Sequence, residues 1–516
     1  MSIVPLLVAL FPLILIFLLL TLRRTAADVA GLLGWIATAL VAWLWFKTPI
    51  PVVLIASLSG LVASLPVSLV TATSIFQITL MSETGAVARV VALIKTIAPR
   101  DPIVQIFLVN VGVGTLLGSL GSTAISILPP ILIALGFTPF LAIILPAIGY
   151  NALCSYGLFG TPVVVFSNFV NLPVTEVGGY FARYVPVISF FVSIGILWIV
   201  GKWKLVRKGI VPTILISITQ GAIALGMNEI GLVTLTGVAG GLGVILVLLA
   251  YLKITGRKVI DMGVLSEADR LSIKRMSIFA AASPWIILTI LSLLVNIPSL
   301  PFYNIVFKQL ELPLEIIPGS PEKLRLFWQA YFWIFISIWM AFPFLRVTKL
   351  QLKNSIANWL RRAPRPIFAA AIYFAIAYVI NHSGKNMDWQ LIDPGQNMVQ
   401  VMSAAAVAGF GKFYPVISPY LGLLGGFISG SEASSIAMLT KTHLTVAEQI
   451  GAIGLLVAAA SGFGGGLASV ISPAKLQNAA ASIDRIGDES KVMPTAFVVS
   501  MVVTAVAAIM TMIWAY

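Results

Sequence analysis

Apolar stretches of about twenty residues recur from one end of this 516-residue chain to the other. Each is long enough to cross the roughly 30 Å hydrocarbon core of a bilayer as a helix. Backbone N–H and C=O groups find no water there, so a spanning segment closes its own hydrogen bonds as an α-helix. Charged residues make up only 10% of the chain, against roughly 25% in an ordinary soluble domain. The sequence therefore reads as an all-α polytopic membrane protein. The net charge of +14 would point to nucleic acid in a soluble chain. Here the basic residues sit in short loops between spans, where they report orientation and contact with membrane lipid rather than nucleic acid. The single cysteine, Cys154, excludes an intrachain disulfide and a cysteine-ligated metal centre. His382 and His443 lack the Asp or Glu spacing of a metal site, so neither metal nor cofactor is expected. Both histidines read as interfacial.

The spans read as 3–21, 28–46, 51–69, 139–172, 184–200, 210–226, 232–252, 277–299, 326–346, 366–381, 446–485 and 493–515, two of them overlong. The first, without a basic leader or a small-residue cleavage site, reads as retained. Two further apolar stretches, 103–135 and 398–440, are interrupted by small polar residues and read as re-entrant hairpins. With the N-terminus outside, the inside segments 22–27, 70–100, 201–209, 253–275, 346–365 and 485–491 carry 23 of the 32 Lys and Arg, against 8 outside. That is a positive-inside distribution and places a multi-pass protein in the cytoplasmic membrane.

The hairpin reading rests on composition. Residues 112–124 run Gly-Val-Gly-Thr-Leu-Leu-Gly-Ser-Leu-Gly-Ser-Thr-Ala, and 425–435 run Gly-Gly-Phe-Ile-Ser-Gly-Ser-Glu-Ala-Ser-Ser. Such runs at mid-membrane are tolerated where they are buried in protein or line a polar cavity; packing through small residues is the plainer alternative for any one cluster. Each is followed by an apolar segment broken in the middle: 150–162, ending in Thr161-Pro162, and 461–473, ending in Ser472-Pro473. Thr84-Gly85 and Ser383-Gly384 precede the two hairpins. The halves are expected to form an inverted repeat. Residues 1–201 hold hairpin 103–135 and broken helix 139–172, and 277–516 hold hairpin 398–440 and broken helix 446–485. Residues 202–276 connect them. Broken helices expose half-helix termini at the midplane, where N–H groups suit a carboxylate and freed carbonyls suit a cation or proton-carrying water.

Glu432, inside the second Gly-Ser cluster, is the candidate proton-coupling carboxyl, since an unpaired intramembrane carboxylate is costly and tends to take up a proton. Capping the half-helix that follows is its other reading. Ser122, Thr123, Ser431, Ser434, Ser435, Thr161 and Ser472 are candidate hydroxyl donors to an anionic substrate, with Asn151 and Asn478 as bulkier polar partners. Lys475 is a candidate counter-charge. Segment 347–363 puts Leu352, Ile356, Trp359 and Leu360 on one face of an interfacial helix. Ser266 and Asp269 make a capping-box start, and 300–325 reads as an ordered extramembrane turn region.

At these residues the sequence resembles the lactate permease family, whose members carry lactate, glycolate and related 2-hydroxy monocarboxylates with protons. Thr84-Gly85 followed by Ile97-Ala98-Pro99-Arg100-Asp101 resembles the family's Thr-Gly and Ile-Thr-Pro-Asp-Arg, with the last two residues exchanged. Tyr156-Gly157-Leu158-Phe159-Gly160-Thr161-Pro162 is similar to its Phe-Gly-Ala-Ile-Gly-Ile-Pro. Ala377-Tyr378-Val379-Ile380-Asn381-His382-Ser383-Gly384, Gly430-Ser431-Glu432-Ala433-Ser434-Ser435 and Ile471-Ser472-Pro473 match second-half motifs. Two family charges are missing: an acid at the first tip, where Gly118-Ser119-Leu120-Gly121-Ser122-Thr123 stands, and a lysine where Ala468-Ser469 stands. The resemblance implies the ion-transporter superfamily, with a fixed scaffold and an elevator-type transport domain.

The resulting expectation is proton-coupled symport of L-lactate, D-lactate or glycolate, with the carboxylate, protons and lipid as partners and a second copy of the chain as a candidate one. A sodium-coupled dicarboxylate carrier of the same architecture is the alternative. An intramembrane enzyme is disfavoured, because no metal motif or His-activated nucleophile is present.

Overall fold

The computed structural model describes residues 3–23, 25–99, 101–121, 124–297, 299–483, 485 and 487–516. Among them, ten helical segments are long and apolar enough to cross a membrane. The first half runs α1 (Ile3–Thr21), α2 (Ala27–Leu44), α3 (Ile50–Ala63), α4 (Leu65–Glu83), α5 (Ala86–Thr96), α6 (Pro102–Phe107), α7 (Gly114–Ser119), α8 (Ala124–Ala134), α9 (Pro139–Gly149), α10 (Gly157–Val170), α11 (Val174–Ala182) and α12 (Val185–Lys208). The middle is α13 (Ile210–Glu229), α14 (Thr236–Ile254) and α15 (Glu267–Arg275). The second half runs α16 (Ile278–Asn296), α17 (Pro301–Tyr303), α18 (Ala330–Leu345), α19 (Lys349–Arg362), α20 (Pro364–His382), α21 (Met398–Phe410), α22 (Tyr414–Ser429), α23 (Glu432–Ile450), α24 (Gly454–Leu467), α25 (Pro473–Ala481) and α26 (Glu489–Trp514). Strands β1 (Leu312–Ile317) and β2 (Ser320–Leu324) form an antiparallel hairpin in the loop read as an ordered turn region.

Helix burial separates a periphery from a centre. Large apolar side chains of α1, α2, α13, α16, α18 and α26 are exposed, the pattern of helices facing lipid. The helices around 102–119 and 151–170 are instead buried over most of their surface. Beside them α22, α23 and α24 pack on one another, with α10 against α23 and the turn before α10 against α24.

Four elements differ from the expected spans. The span read as 51–69 is longer: Ser64 N–H bonds Gly60 O and Ser68 N–H bonds Ser64 O, so α3 leads directly into α4 as far as Glu83. Ser, Thr and Gln77 lower the hydropathy of α4 while facing protein rather than lipid. The stretch read as 398–440 is three helices, α21, α22 and α23, the last reaching Ile450. The glycines read as the second break are helical in α24, and the interruption falls at Ala468–Ser472. Glycine there permits contact instead of breaking the helix: a Cβ on Gly464 would sit 2.0 Å from Pro419 O. Finally, α19 turns Ser355 and Trp359 inward, with Trp359 Nε1 donating to Ala72 O at 2.8 Å, while Ile356 and Leu360 are exposed.

One face of the protein is tied by ion pairs. Lys95 Nζ donates to both oxygens of Asp269 at 2.8 Å, and Asp269 closes the expected capping box with Ser266. Arg257 pairs with Asp101, Arg365 with Asp28, and Asn358 Nδ2 donates to Glu83. Segments 84–101, 253–276 and 346–365 thereby share a face. Burial pushes the Asp269 carboxyl up, but its bonds from Lys95 and Ser266 hold it below the usual carboxylate range. At the opposite face, Gly384 N–H donates to Thr48 Oγ1 at 2.8 Å. The β-hairpin leans on α3 there, with Ile317 buried among Ala42, Val53, Ala56 and Tyr378.

Candidate functional site

Interrupted helices generate the site. Helix α9 ends at Gly149, whose missing side chain admits the backbone of Asn110 on the first helix pair: a Cβ would stand 2.2 Å from Asn110 O. Residues Asn151–Tyr156 form a 3-10 turn. After an extended Gly157, the three residues Leu158, Phe159 and Gly160 all adopt left-handed backbone, with φ of 52°, 54° and 69°. Two consecutive non-glycine residues in that region are costly and persist where the surroundings hold them. Helix α10 resumes through Thr161 and Pro162.

In the second half, α22 stops at Gly430, with φ of 68°, and Ser431 caps α23 by accepting from Ser434 N–H at 3.4 Å. Glu432 is thus the first residue of α23, where free N–H groups carry partial positive charge. The first break meets this start. Glu432 Oε1 accepts from Ser155 Oγ at 2.5 Å, across 277 residues of sequence. Glu432 Oε2 has no hydrogen-bond partner among the described residues. Asn151 Nδ2 donates to Leu467 O at 3.4 Å, joining the first break to the end of α24. Gly466 completes the enclosure, since a Cβ there would stand 2.2 Å from Cys154 Sγ and 2.4 Å from Glu432 Oε2.

The sequence candidates divide around this centre. Glu432, Asn151 and Ser434 are buried in it, and Ser434 Oγ and Asn151 Oδ1 are unpartnered among the described residues. Ser472 is buried with its Oγ 3.4 Å from the position of a Cβ on Gly430. Ser435 Oγ instead donates to Gly422 O at 3.0 Å and ties α23 to α22. Ser431 is occupied as the cap of α23. Thr161 Oγ1 donates back to Leu158 O at 2.6 Å and lines a cavity of about 10 Å³, room for a single water, together with Asn296, Trp328 and Trp333. Lys475 Nζ donates to Ser469 Oγ at 2.7 Å and is the cation that acts on Glu432. Asn478 is exposed on α25. Ser122 and Thr123 lie outside the described residues.

Three residues were missed as site members: Cys154, Ser155 and Gly466. Cys154 and Ser155 stand inside the break window, but nothing local pairs them with Glu432. Both histidines are covered by protein rather than exposed. His443 is fully buried, its Nδ1 2.8 Å from Tyr414 OH, and His382 is 6% exposed. Among the described residues no group of His, Cys, Asp and Glu is arranged to hold a metal ion. The arrangement offers an anion the free N–H groups and hydroxyls of a helix start. It offers a proton one carboxyl oxygen with no bond of its own.

A sequence profile described as L-lactate permease matches residues 5–516. The chain is 27% identical to the glycolate permease GlcA of Escherichia coli (strain K12), over 99% of this chain and 95% of that protein. It is 26% identical to an L-lactate permease of Salmonella typhi over 99% and 96%, and 25% identical to one of Bacillus subtilis (strain 168) over 94% and 91%.

Proposed function

The chain belongs to the L-lactate permease family and is a transporter, not an enzyme; from that premise we propose that it carries lactate or glycolate across the cytoplasmic membrane together with a proton. Its relatives are permeases for L-lactate and for glycolate, and both anions combine a carboxylate with a 2-hydroxyl. The observation that carries the coupling is Glu432, a buried carboxyl at the meeting point of two interrupted helices, with one hydroxyl donor and a second oxygen left free. The substrate carboxylate is held at the first turn of α23, with Ser434 and Asn151 offering polar atoms. Glu432 holds the coupled proton, and Lys475 balances charge when it leaves.

The two halves function as an inverted repeat in this reading. Helices α4 and α20 both have 19 residues, and each is followed by a hydroxyl residue and a left-handed glycine, Thr84-Gly85 and Ser383-Gly384. A helix pair with a glycine at its tip comes next in each half, then a helix broken by a 3-10 turn. The pairs α6–α8 and α22–α23 are re-entrant, and with the broken helices they move as a transport domain against the remaining scaffold. Orientation follows from the positive-inside count, which the ion-paired face at 84–101, 253–276 and 346–365 supports as the cytoplasmic side; the N-terminus is then outside.

The test is uptake of radiolabelled L-lactate and glycolate into proteoliposomes under an inward proton gradient. Accumulation abolished by a protonophore and indifferent to sodium supports the reading. Accumulation that follows a sodium gradient and survives the protonophore replaces it with a sodium-coupled carboxylate carrier.

A further inference from the structure

Lys441 lies in the middle of α23 on the side away from Glu432, and it is only partly accessible. Its Nζ has no hydrogen-bond or ion-pair partner among the described residues, and neither has the Nζ of Lys385, on the loop after α20. Two such ammonium groups in a protein interior are expensive unless an anion completes them. Lys385 N–H donates to His382 O at 3.4 Å, and the ammonium charges of both lysines act on the His382 ring, which is 6% exposed and whose Nδ1 is also unpartnered. One carboxylate approaches this group: Glu322, on β2. Its Oε1 is already held by Tyr378 OH at 2.5 Å and Ser59 Oγ at 3.1 Å. The hairpin thus carries an acidic side chain from the loop into the crevice between α3 and α20, within electrostatic reach of Lys441 on α23. Two lysines and one carboxylate leave the cluster one anion short.

We propose that Lys441, Lys385 and His382 form an outer binding site for a small monocarboxylate, and that Glu322 on the β-hairpin is a built-in carboxylate that competes with the substrate for Lys441. The substrate's carboxylate enters between the two lysines. Glu322 stays on Tyr378 and Ser59, and its pull on Lys441 is what the substrate must overcome. This inference rests on the reading that the chain carries a monocarboxylate. It adds a site on the outer flank, distinct from Glu432 and Ser155.

Competition gives the two charge types opposite signs, which a bracing role does not. Initial rates of L-lactate uptake are measured in proteoliposomes across external concentrations, with the amount of folded transporter checked by gel filtration in detergent. Lys441→Gln is expected to raise KM about tenfold and Lys385→Gln by a smaller factor, while Lys441→Arg stays within about twofold of the parent. Glu322→Gln is expected to lower KM by about threefold. A Glu322→Gln variant with unchanged or raised KM overturns the proposal, and does so even where Lys441→Gln fails to fold. An unchanged KM in a folded Lys441→Gln variant overturns it equally. A parent protein that takes up neither lactate nor glycolate removes the transport reading itself, and the outer site with it. Normal parental uptake with unaffected variants removes the outer site alone.

Discussion

The first break and the start of α23 meet at one point but bring different chemistry to it. The first break contributes neutral groups, the Ser155 hydroxyl, the Asn151 amide and the Cys154 thiol. Glu432 and the cation acting on it, Lys475, both come from the second half. In the first half, Lys95 pairs with Asp269 and Asp101 with Arg257 at the face carrying 84–101, apart from Glu432. Similar interruptions of the backbone therefore serve unlike purposes. One supplies a neutral cradle, and the other holds the carboxyl to which the proposed coupling assigns the proton.

Glu432→Gln is the severest test of this division. It keeps the shape and the Ser155 contact but removes the titration, so gradient-driven accumulation should vanish while exchange of labelled for unlabelled lactate continues. Accumulation that persists would move the coupling elsewhere. Gly466→Ala should come next, with uptake falling at least tenfold, because a Cβ displaces both Cys154 Sγ and Glu432 Oε2. Alanine is the better helix former by about 1 kcal/mol, so thermal unfolding should show whether function was lost without a loss of stability. Ser155→Ala removes the hydroxyl on Glu432 and should slow uptake about three- to tenfold, the equivalent of about 1 kcal/mol. An effect as large as that of Glu432→Gln would mean that the neutral cradle is itself part of the proton step.

The smallest effect belongs to the paired face. Asp269→Asn should lower stability by about 1 kcal/mol at pH 7, read by scanning fluorimetry. The folded carboxyl lies below its reference value of 3.8, so its contribution is present above that value and is lost as pH falls through the lower, folded one. The gap between parent and variant should therefore close only below about pH 3.8. Uptake per folded molecule should be unchanged, which would separate structural charges from transporting ones.

How much of this was legible in the sequence follows from range. The helix pairs and breaks announced themselves because Gly, Ser and Pro act locally: Gly430 ends α22, and Pro162 and Pro473 restart helices. Glycine's second use misled at 461–466, where its lack of a side chain serves close packing rather than a break. The polar residues of α4 hid half of a long helix, since hydropathy cannot tell a lipid-facing position from one covered by α18 and α19. Glu432 stood out as an acid in an apolar run. Ser155 did not, because a serine in a broken helix is ordinary until its partner, 277 positions away, is brought to it. The same holds for His443, whose burial depends on Tyr414, and for Glu322, which a loop of unremarkable composition delivers between two spans.

The distance in sequence between Ser155 and Glu432 also sets a clock. A ribosome adding about 5–20 residues per second needs roughly 15–55 s to make the 277 residues that separate them. For that interval the kink at 151–160 is already in the translocation machinery or the bilayer, with its amide and hydroxyl groups unmatched. The newborn chain must keep this polar elbow wetted, or sheltered by a helper, until the last quarter of the protein arrives to close over it.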